Sequence, residues 1–425
     1  MSGTPTRAYP TDSRYRARRG PAVTRPDVRA RSAAGSVTAV SSRVQEVRVM
    51  TRGPLSDADR LLHTDEGVPA AEESPAGSAA EPQTSAAAKT GASEQSGVLR
   101  WGIVVIVLII VGMVGLGTWW SFQPAKFDVQ ANMQARIGAD ARPVPGAVIV
   151  ATAIQVADTL LHKPGGYLNN DMTPPGVLMD NMPSWEYGVL TELRDSVRSL
   201  RNDFSRSQTQ SIENEDLKKA DSEFNFDAEA WFLPSAEQEY EQGIMALQRY
   251  LDDMIAGSRQ ASFYVRADNL ASYLQVVEKR LGSYGQLLSA SVGDAELTAA
   301  LSGGAVDRER QDGQATGPAP GVNSRTPLMQ IDDVFFEARG YSWALLHMMK
   351  AIAIDFAPVL QAKNAEVSIQ QIIRDLEYAS VRKWSPVVLN GHGFGVLANH
   401  SLVLASYMSR ANAAVLDLRV LLERG

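Results

Sequence analysis

Residues 101–123 read WGIVVIVLIIVGMVGLGTWWSFQ and contain no charged side chain. As an α-helix that rises 1.5 Å per residue, this stretch extends about 34 Å, which is enough to cross a hydrocarbon core of about 30 Å. Trp101 stands at one end and Trp119 with Trp120 at the other, as is typical of anchors at membrane interfaces. The pattern predicts one transmembrane helix over residues 98–120, with the lipid bilayer as its partner.

Two other interpretations of the same stretch are weaker. A cleavable signal peptide lies at the N-terminus and has an apolar core of about 7–15 residues, whereas this run is longer and begins far inside the chain. A buried helix of a soluble protein is the other alternative, but the length and the flanking tryptophans favour a span. Gly112, Gly115 and Gly117 lack the four-residue spacing of a close helix dimer, so they predict no helix pairing.

The segment before the span, residues 1–97, is predicted to be a disordered head. Residues 1–60 contain 12 arginines, no lysine and five acidic residues, and residues 61–97 are rich in Ala, Ser, Glu, Gly and Pro. Neither part has enough apolar surface to offset the entropy of ordering. The arginines suit anionic lipid headgroups or an acidic partner, and a solvated tail is the alternative. Met50 is a second possible start of translation, downstream of most of these arginines.

Composition excludes several classes of function. The chain has no cysteine, which rules out disulfides, thiolate metal sites and cysteine nucleophiles. Its net charge of −7 divides into +3 for residues 1–100 and −10 for residues 101–425. Because contact with nucleic-acid phosphates needs a basic surface, the acidic domain predicts no nucleic-acid partner.

Charge also bears on the orientation of the span. Within twenty residues of its ends, Lys89 and Arg100 on one side are matched by Lys126 and Arg136 on the other. The wider arginine excess of the head and the adjacent position of Arg100 favour a cytoplasmic head. We therefore predict a single-pass protein of the bacterial inner membrane whose C-terminal domain is periplasmic.

The residues behind the span show helical periodicity and no alternating strand pattern of useful length. We predict an all-α fold, an antiparallel helical bundle with a first half over 124–292 and a second half over 327–425. Residues 293–326 contain six glycines and two prolines, and they predict a flexible loop between the halves.

Local signals place individual helices in this bundle. Ser184 is a predicted N-cap, and Ser235 with Gln238 fits a capping box. One stripe has the 4-3-4-3-4 spacing of a bundle seam. It consists of Leu270, Leu274, Val277, Leu281, Tyr284 and Leu288. The same stripe is also suited to join copies of the chain in a homo-oligomer.

The segment 163–188, KPGGYLNNDMTPPGVLMDNMPSWEYG, is a predicted loop with an unusual share of apolar residues, so we expect it to pack on the bundle. Its polar and aromatic residues are candidate binding residues that line a pocket. They are Tyr167, Asn169, Asn170, Asp171, Asp180, Asn181 and Trp185. The alternative is turn chemistry, in which Asn and Asp side chains bond to nearby backbone.

His392 and His400 flank the glycine-rich turn NGHGFGVLANHS and complete the set of candidate binding residues. Zinc sites need three or four ligands at matched spacing, and no such motif is present, so we predict no metal and no cofactor. Two hydrogen-bonded histidines are the simpler interpretation. The methionines of the 163–188 loop are possible Cu(I) ligands, but methionine is more often an adaptable core residue.

Asp333 and Glu337 are four residues apart, so their carboxylates share one face of a predicted helix. Two carboxylates in this arrangement could act in general acid–base catalysis or bind a cation. A solvated face neutralised by a neighbouring arginine such as Arg339 is the alternative that we favour. Because the hydrolase motifs GxSxG and SxxK are absent, no catalytic residue is predicted.

Several segments resemble a known family over roughly residues 100–425. They are KPGGYLNND (163–171), PPGVLMDNMPSWEYG (174–188), RNDFSRSQ (201–208), FYVRADNL (263–270), DDVFFEARGYSWALLH (332–347) and NGHGFGVLANHS (390–401). The family comprises proteobacterial inner-membrane proteins and is catalogued as a domain of unknown function, numbered 2333. The resemblance implies a bacterial envelope protein with one anchor, and it implies no activity, cofactor or catalytic residue.

These features lead to one functional hypothesis and two rivals. The leading hypothesis is a non-enzymatic envelope protein whose helical domain binds another envelope protein. The first rival is a periplasmic hydrolase or transferase with its site at the 163–188 loop, which requires that loop and His392 or His400 to converge in one cleft. The second rival is an oligomeric scaffold built on the stripe over residues 270–288.

Overall fold

Eleven α-helices and no strand make up the part of the chain that the computed structural model describes, so the predicted all-α fold is confirmed. The described residues are 91–138, 144–207, 212–291, 326–383, 388 and 399–424. The helices are α1 Gly91–Trp120, α2 Val129–Ile137, α3 Ala147–His162, α4 Asn181–Ser199, α5 Glu215–Phe224, α6 Ala236–Ile255, α7 Ala267–Ala290, α8 Ile331–Asp355, α9 Ala357–Ala362, α10 Glu366–Ala379 and α11 His400–Glu423. Most of the predicted head and of the predicted 293–326 loop lies outside the described residues.

Helix α1 carries the apolar stretch and begins at Gly91, ahead of the predicted start at residue 98. Its segment Leu99–Trp120 is 22 residues long, and none of its most apolar window is buried by the rest of the protein. The alternative of a helix buried in a soluble core is therefore wrong. By length and composition, Leu99–Trp120 is able to cross a membrane.

Helix α3 lies at the centre of the core, because its sequence AVIVATAIQVADTLLH is apolar around most of its circumference. It packs against α2, α4, α6 and α8. Aromatic side chains fill the space around it: Trp185 lies 5.4 Å from Trp343, and Phe204 lies 5.4 Å from Phe356, measured between ring centroids. Helices from both predicted halves contribute to this one hydrophobic core.

Helices α4 and α8 cross at two glycines, with their backbones in direct contact. A Cβ atom on Gly188 would lie 2.0 Å from the Glu337 carbonyl oxygen, and one on Gly340 would lie 1.9 Å from the Trp185 carbonyl oxygen. Glycine is the residue type that permits this approach, because any side chain would displace one of the two backbones.

Two of the local sequence signals are confirmed and one is wrong. Ser235 and Gln238 form the capping box of α6. The 270–288 stripe is buried, and its helix α7 packs along α11 of the same chain, so this stripe offers no surface to a second copy. Ser184 is not an N-cap, because α4 begins three residues earlier, where the Asp180 side chain accepts a hydrogen bond from the Asn181 amide.

The chain between α1 and α2 is fixed to the domain and does not form a loose tether. Gln123 accepts a hydrogen bond from the Arg339 guanidinium (2.8 Å), and Lys126 donates to the Glu377 carbonyl oxygen (3.0 Å). The Phe127 ring stacks on the His347 imidazole, 4.0 Å between centroids. Burial lowers the pKa of His347 to about 4, so this histidine is neutral and part of the core.

Candidate functional site

The segment after α3 is held to the bundle by a buried ion pair. Lys163 and Glu186 are in contact, and both side chains are almost fully buried. Glu186 also accepts hydrogen bonds from the amides of Leu168 (3.0 Å) and Asn169 (2.8 Å). Burial raises the pKa of Glu186, and the Lys163 ammonium and these amides oppose that shift. The predicted loop is therefore ordered up to Asp180, and residues 181–188 belong to α4.

Most of the candidate residues in this segment bond to backbone, but mainly to carbonyl groups about sixty residues later in the chain and not to nearby backbone as in turn chemistry. The side chains of Tyr167 and Asn169 donate to the Ala228 carbonyl oxygen at 3.2 and 3.0 Å, and Asn170 donates to the Ala230 carbonyl oxygen at 2.7 Å. Asp171 accepts a hydrogen bond from the Thr173 amide at 3.0 Å. These bonds join the segment to the turn that precedes α6.

Three candidates remain in the segment. Asp180 is the N-cap of α4, and the other two lie at the start of that helix. Trp185 is fully buried against Trp343, so it is a core residue. Asn181 is the first residue of the helix, and its side-chain oxygen is buried without a hydrogen-bond donor among the described residues.

A cleft of about 580 Å³ opens where the start of α4, the start of α8 and the turn after α5 meet. We call it the acidic cleft, because five carboxylates line it. Its lining includes Asp180, Asp227, Glu229, Asp333 and Glu337, together with Asn169, Ser184, Tyr187 and Arg194. Of the nine candidate binding residues, the structure brings Asn169 and Asp180 to this cleft.

The one basic residue in the lining does not neutralise these acids. Arg194 directs its guanidinium to the carbonyl oxygens of Phe224 (2.6 Å) and Phe226 (2.8 Å). Burial raises the pKa of Asp333 and of Glu337, although hydrogen bonds from Ser184 (3.0 Å) and Tyr284 (2.9 Å) oppose the shifts. Burial thus favours the neutral form of these two groups, but acids outnumber bases five to one among the described lining residues, so the cleft is suited to attract positive charge.

The predicted acidic pair on α8 is thus partly correct. Asp333 and Glu337 share a face, but that face lines the cleft and is not neutralised by Arg339. The Arg339 side chain is buried and donates to the Val381 carbonyl oxygen (2.7 Å) and to Gln123. Sequence reasoning also missed Asp227 and Glu229, whose signal is a short run of acids and aromatics, FNFDAEAWF, between two helical patterns.

The histidines do not join this cleft within the described residues. His400 begins α11 and lies beside Phe335 in a different pocket, which shares no lining residue with the acidic cleft. His392 lies outside the described residues. Among the residues that the structure describes, no three His, Asp or Glu side chains gather as a metal site would require.

A second surface is apolar and lies next to the end of α1. It consists of six exposed side chains, which we call the apolar patch: Met172, Val177, Leu178, Trp231, Phe232 and Leu233. The bond from Asn170 to the Ala230 carbonyl oxygen joins the two segments that carry the patch. Pro175 lies 3.5 Å from where a Cβ atom on Gly117 would be, so the part of the patch on residues 172–178 lies beside the last turns of α1.

Over the residues that the structure describes, these elements define an all-helical protein with one helix that is able, by length and composition, to cross a membrane. Residues 93–425 match a family described as an uncharacterized protein conserved in bacteria (DUF2333), and the chain belongs to this family. The match confirms the resemblance inferred from the sequence. No curated protein and no solved structure matches the chain.

Proposed function

We propose that this protein is a single-pass protein of the bacterial inner membrane, with a cytoplasmic head and a periplasmic domain that binds another envelope protein without catalysing a reaction. The observation that carries the proposal is the rigid junction after α1, where Gln123, Lys126 and Phe127 all bond to the domain. A domain fixed in this way presents its surfaces at a constant height and orientation above the bilayer.

The apolar patch supports contact between the domain and the bilayer. Leu178, Phe232 and Leu233 are each about 70% exposed, which is unusual for a cluster of large apolar side chains in a water-soluble surface. Trp231 adds an aromatic side chain of the type that is enriched at membrane interfaces. Because the patch adjoins the last turns of α1, the same leaflet that surrounds Trp119 and Trp120 covers it.

The acidic cleft is the proposed contact surface for the partner. Its five carboxylates favour a partner that presents lysine or arginine, since complementary charge speeds and orients association. Tyr187, which is 43% exposed, adds an aromatic contact of the type that is enriched in interfaces. The hydrolase or transferase hypothesis receives no comparable support, because His400 lies in another pocket.

Cysteine labelling tests the topology, since the natural chain contains no cysteine. Four single-cysteine variants are used: Leu108→Cys in the span, Leu178→Cys and Phe232→Cys in the patch, and Val367→Cys on the exposed surface of α10. With a membrane-impermeant maleimide, we expect Val367→Cys to react in spheroplasts, and the other three to stay unlabelled. The same pattern is expected for the purified chain in proteoliposomes, where no other protein is present to shield the patch.

Each variant in this series answers a separate question. Labelling of Val367→Cys only in inverted vesicles would show that the helical domain is cytoplasmic, opposite to the proposed orientation. Labelling of Leu108→Cys would show that the apolar helix does not cross the bilayer. Rapid labelling of Leu178→Cys and Phe232→Cys in proteoliposomes would show that the patch does not contact the bilayer. If Leu108→Cys stays protected in the same experiment, the membrane span still holds.

Photocrosslinking tests the partner. A photoreactive amino acid replacing Tyr187 in the cleft is expected to give a discrete crosslinked band in intact cells. The same residue replacing Val367 is the control and is expected to give none. Adding Asp227→Asn and Glu229→Gln is expected to weaken the band several-fold, because each charge pair contributes to association. If the band is absent under several growth conditions, or is unchanged by these two substitutions, the cleft is not the partner surface.

A further inference from the structure

The pocket that contains His400 has a volume of about 320 Å³ and lies where α8, the end of α10 and the start of α11 meet. We call it the basic pocket. Its lining includes Arg339, Arg382, Lys383 and His400, with the aromatic side chains Phe335, Tyr378 and Tyr407. Among the described residues that line it there is no aspartate or glutamate. The charge of this pocket is therefore opposite to that of the acidic cleft, although α8 contributes to both.

The basic pocket contains two buried nitrogen atoms of cationic side chains that find no acceptor among the described residues. The Lys383 ammonium is shielded from solvent, finds no hydrogen-bond acceptor among the described residues, and lies 4.2 Å from the centre of the Phe335 ring. The Nε of Arg339 is also buried without an acceptor within the described part of the chain. A buried charge that has no counter-charge is strongly unfavourable, so such groups usually face a ligand or an ion partner.

No acidic side chain follows closely in the sequence to supply that counter-charge. Residues 384–399, which connect Lys383 to the start of α11, read WSPVVLNGHGFGVLAN and contain no aspartate or glutamate. Burial, together with the charge of Arg339, lowers the pKa of Lys383 to about 7. Burial also lowers the pKa of Arg339 to about 10. Both shifts have the direction expected of cations that lack an anion.

We propose that the basic pocket is a binding site for a phosphate-bearing anion, held by Arg339, Arg382 and Lys383. Guanidinium and ammonium groups are charged donors of the kind that bind phosphate oxygens. Arg339 Nε and the Lys383 ammonium are the donors for which the described residues supply no acceptor. The Phe335 ring beside the Lys383 ammonium is buried, and a low local dielectric strengthens charged hydrogen bonds.

The position of the pocket indicates how the anion reaches it. Arg339 donates to Gln123, and the Arg382 guanidinium lies 4.3 Å from the centre of the Phe122 ring. Both Phe122 and Gln123 directly follow the apolar helix, where the headgroups of a bilayer would be. A lipid headgroup and free phosphate share the required chemistry. The lipid source rests on the proposed membrane span, whereas binding of free phosphate does not.

The test measures thermal unfolding of the purified full chain in detergent and in nanodiscs. Inorganic phosphate is expected to raise the Tm of the wild-type chain above its Tm in chloride of equal ionic strength. Lys383→Gln is expected to weaken phosphate binding at least about tenfold, as the loss of a charged hydrogen bond does. Arg259→Gln, which removes one positive charge from an exposed turn, is the matched control and is expected to respond like wild type.

Two further measurements separate the outcomes. Without phosphate, Lys383→Gln is expected to be at least as stable as wild type, because it removes an uncompensated buried charge. A large loss of stability there would show that Lys383 already has a partner and would overturn the proposal. So would an absent phosphate response, or an equal response of wild type and Lys383→Gln.

The lipid source is tested in nanodiscs of phosphatidylcholine with and without phosphatidylglycerol. A higher Tm with phosphatidylglycerol, lost in Lys383→Gln and kept in Arg259→Gln, supports a headgroup site. A response to free phosphate alone supports the anion site and assigns it a soluble ligand. If the cysteine experiment shows that the apolar helix does not cross the bilayer, the response to inorganic phosphate is unaffected. The proposed membrane topology and the proposed phosphate site are therefore tested independently.

Discussion

Replacing Gly340 with valine is expected to destabilise the helical domain by about 3 kcal/mol or more, at the upper end of overpacking substitutions. The obstacle is backbone, since a Cβ atom there would lie 1.9 Å from the Trp185 carbonyl oxygen. No side-chain rotation relieves that contact, so α4 and α8 must separate. Separation also disturbs the reciprocal contact at Gly188 and opens the acidic cleft, which the same two helices line. Urea unfolding followed by circular dichroism in detergent measures the loss.

A second glycine in a helix supplies the control. A Cβ atom on Gly282 would lie 3.7 Å from the nearest atom, the side-chain nitrogen of Asn412, which is an ordinary contact. Gly282→Ala is therefore expected to leave stability unchanged or to raise it by up to about 1 kcal/mol, because alanine favours helix. If Gly340→Val unfolds at the same urea concentration as wild type, the two helices do not cross in the manner described.

Sequence periodicity was sufficient to predict the longer helices because burial in this fold follows helical spacing, whereas the short α2, α5 and α9 were not predicted individually. The stripe from Leu270 to Leu288 is buried at every predicted position, and the capping box at Ser235 forms as its pattern predicts. Both signals are local, since they depend on residues within a few turns of one another. The apolar run of α1 was equally clear, because length and absence of charge identify it without any tertiary contact.

The candidate site was less predictable because it depends on pairings between distant segments. Asp180 and Asp333 line one cleft only because α4 packs on α8, and their sequence separation gives no sign of that pairing. Gly188 and Gly340 look like other helical glycines until the crossing is known. From the sequence, the asparagines after α3 fitted either a pocket or a tight turn. In the structure, Asn169 bonds to the carbonyl group of Ala228, and that partner could not be identified from the sequence because it lies much later in the chain.

A buried acid at the centre of the bundle makes stability depend on pH. Glu192 on α4 is fully buried and accepts hydrogen bonds from the Tyr273 hydroxyl (2.5 Å) and the Ser196 hydroxyl (2.8 Å). Its second carboxyl oxygen is buried without a partner among the described residues. Burial raises the pKa of Glu192 to about 8, and the negative charge of Asp195 adds to the shift. The folded protein therefore holds this carboxyl group protonated at neutral pH.

The sign of the effect follows from proton linkage. In the unfolded chain the carboxyl group ionises near its ordinary pKa of 4.5, whereas in the folded protein it keeps its proton up to about pH 8. Between these values the folded state holds one more proton, so the free energy of unfolding falls as pH rises, by about 1.4 kcal/mol per pH unit. The stabilising contribution is complete below pH 4.5 and is lost as pH rises through 8.

Glu192→Gln isolates this contribution, since the glutamine amide keeps an oxygen for Tyr273 and Ser196 but cannot ionise. We expect urea unfolding of wild type from pH 5 to pH 8 to show the falling slope, and the variant to be flatter by about one proton. Asp355, whose pKa burial raises to about 7, contributes in the same direction to both proteins and cancels in the difference. The exposed Glu366→Gln is the control and is expected to keep the wild-type slope. Equal slopes for wild type and Glu192→Gln would mean that the bundle encloses an ionised carboxylate, and the hydrogen bond from Tyr273 would then be a bond to a charge.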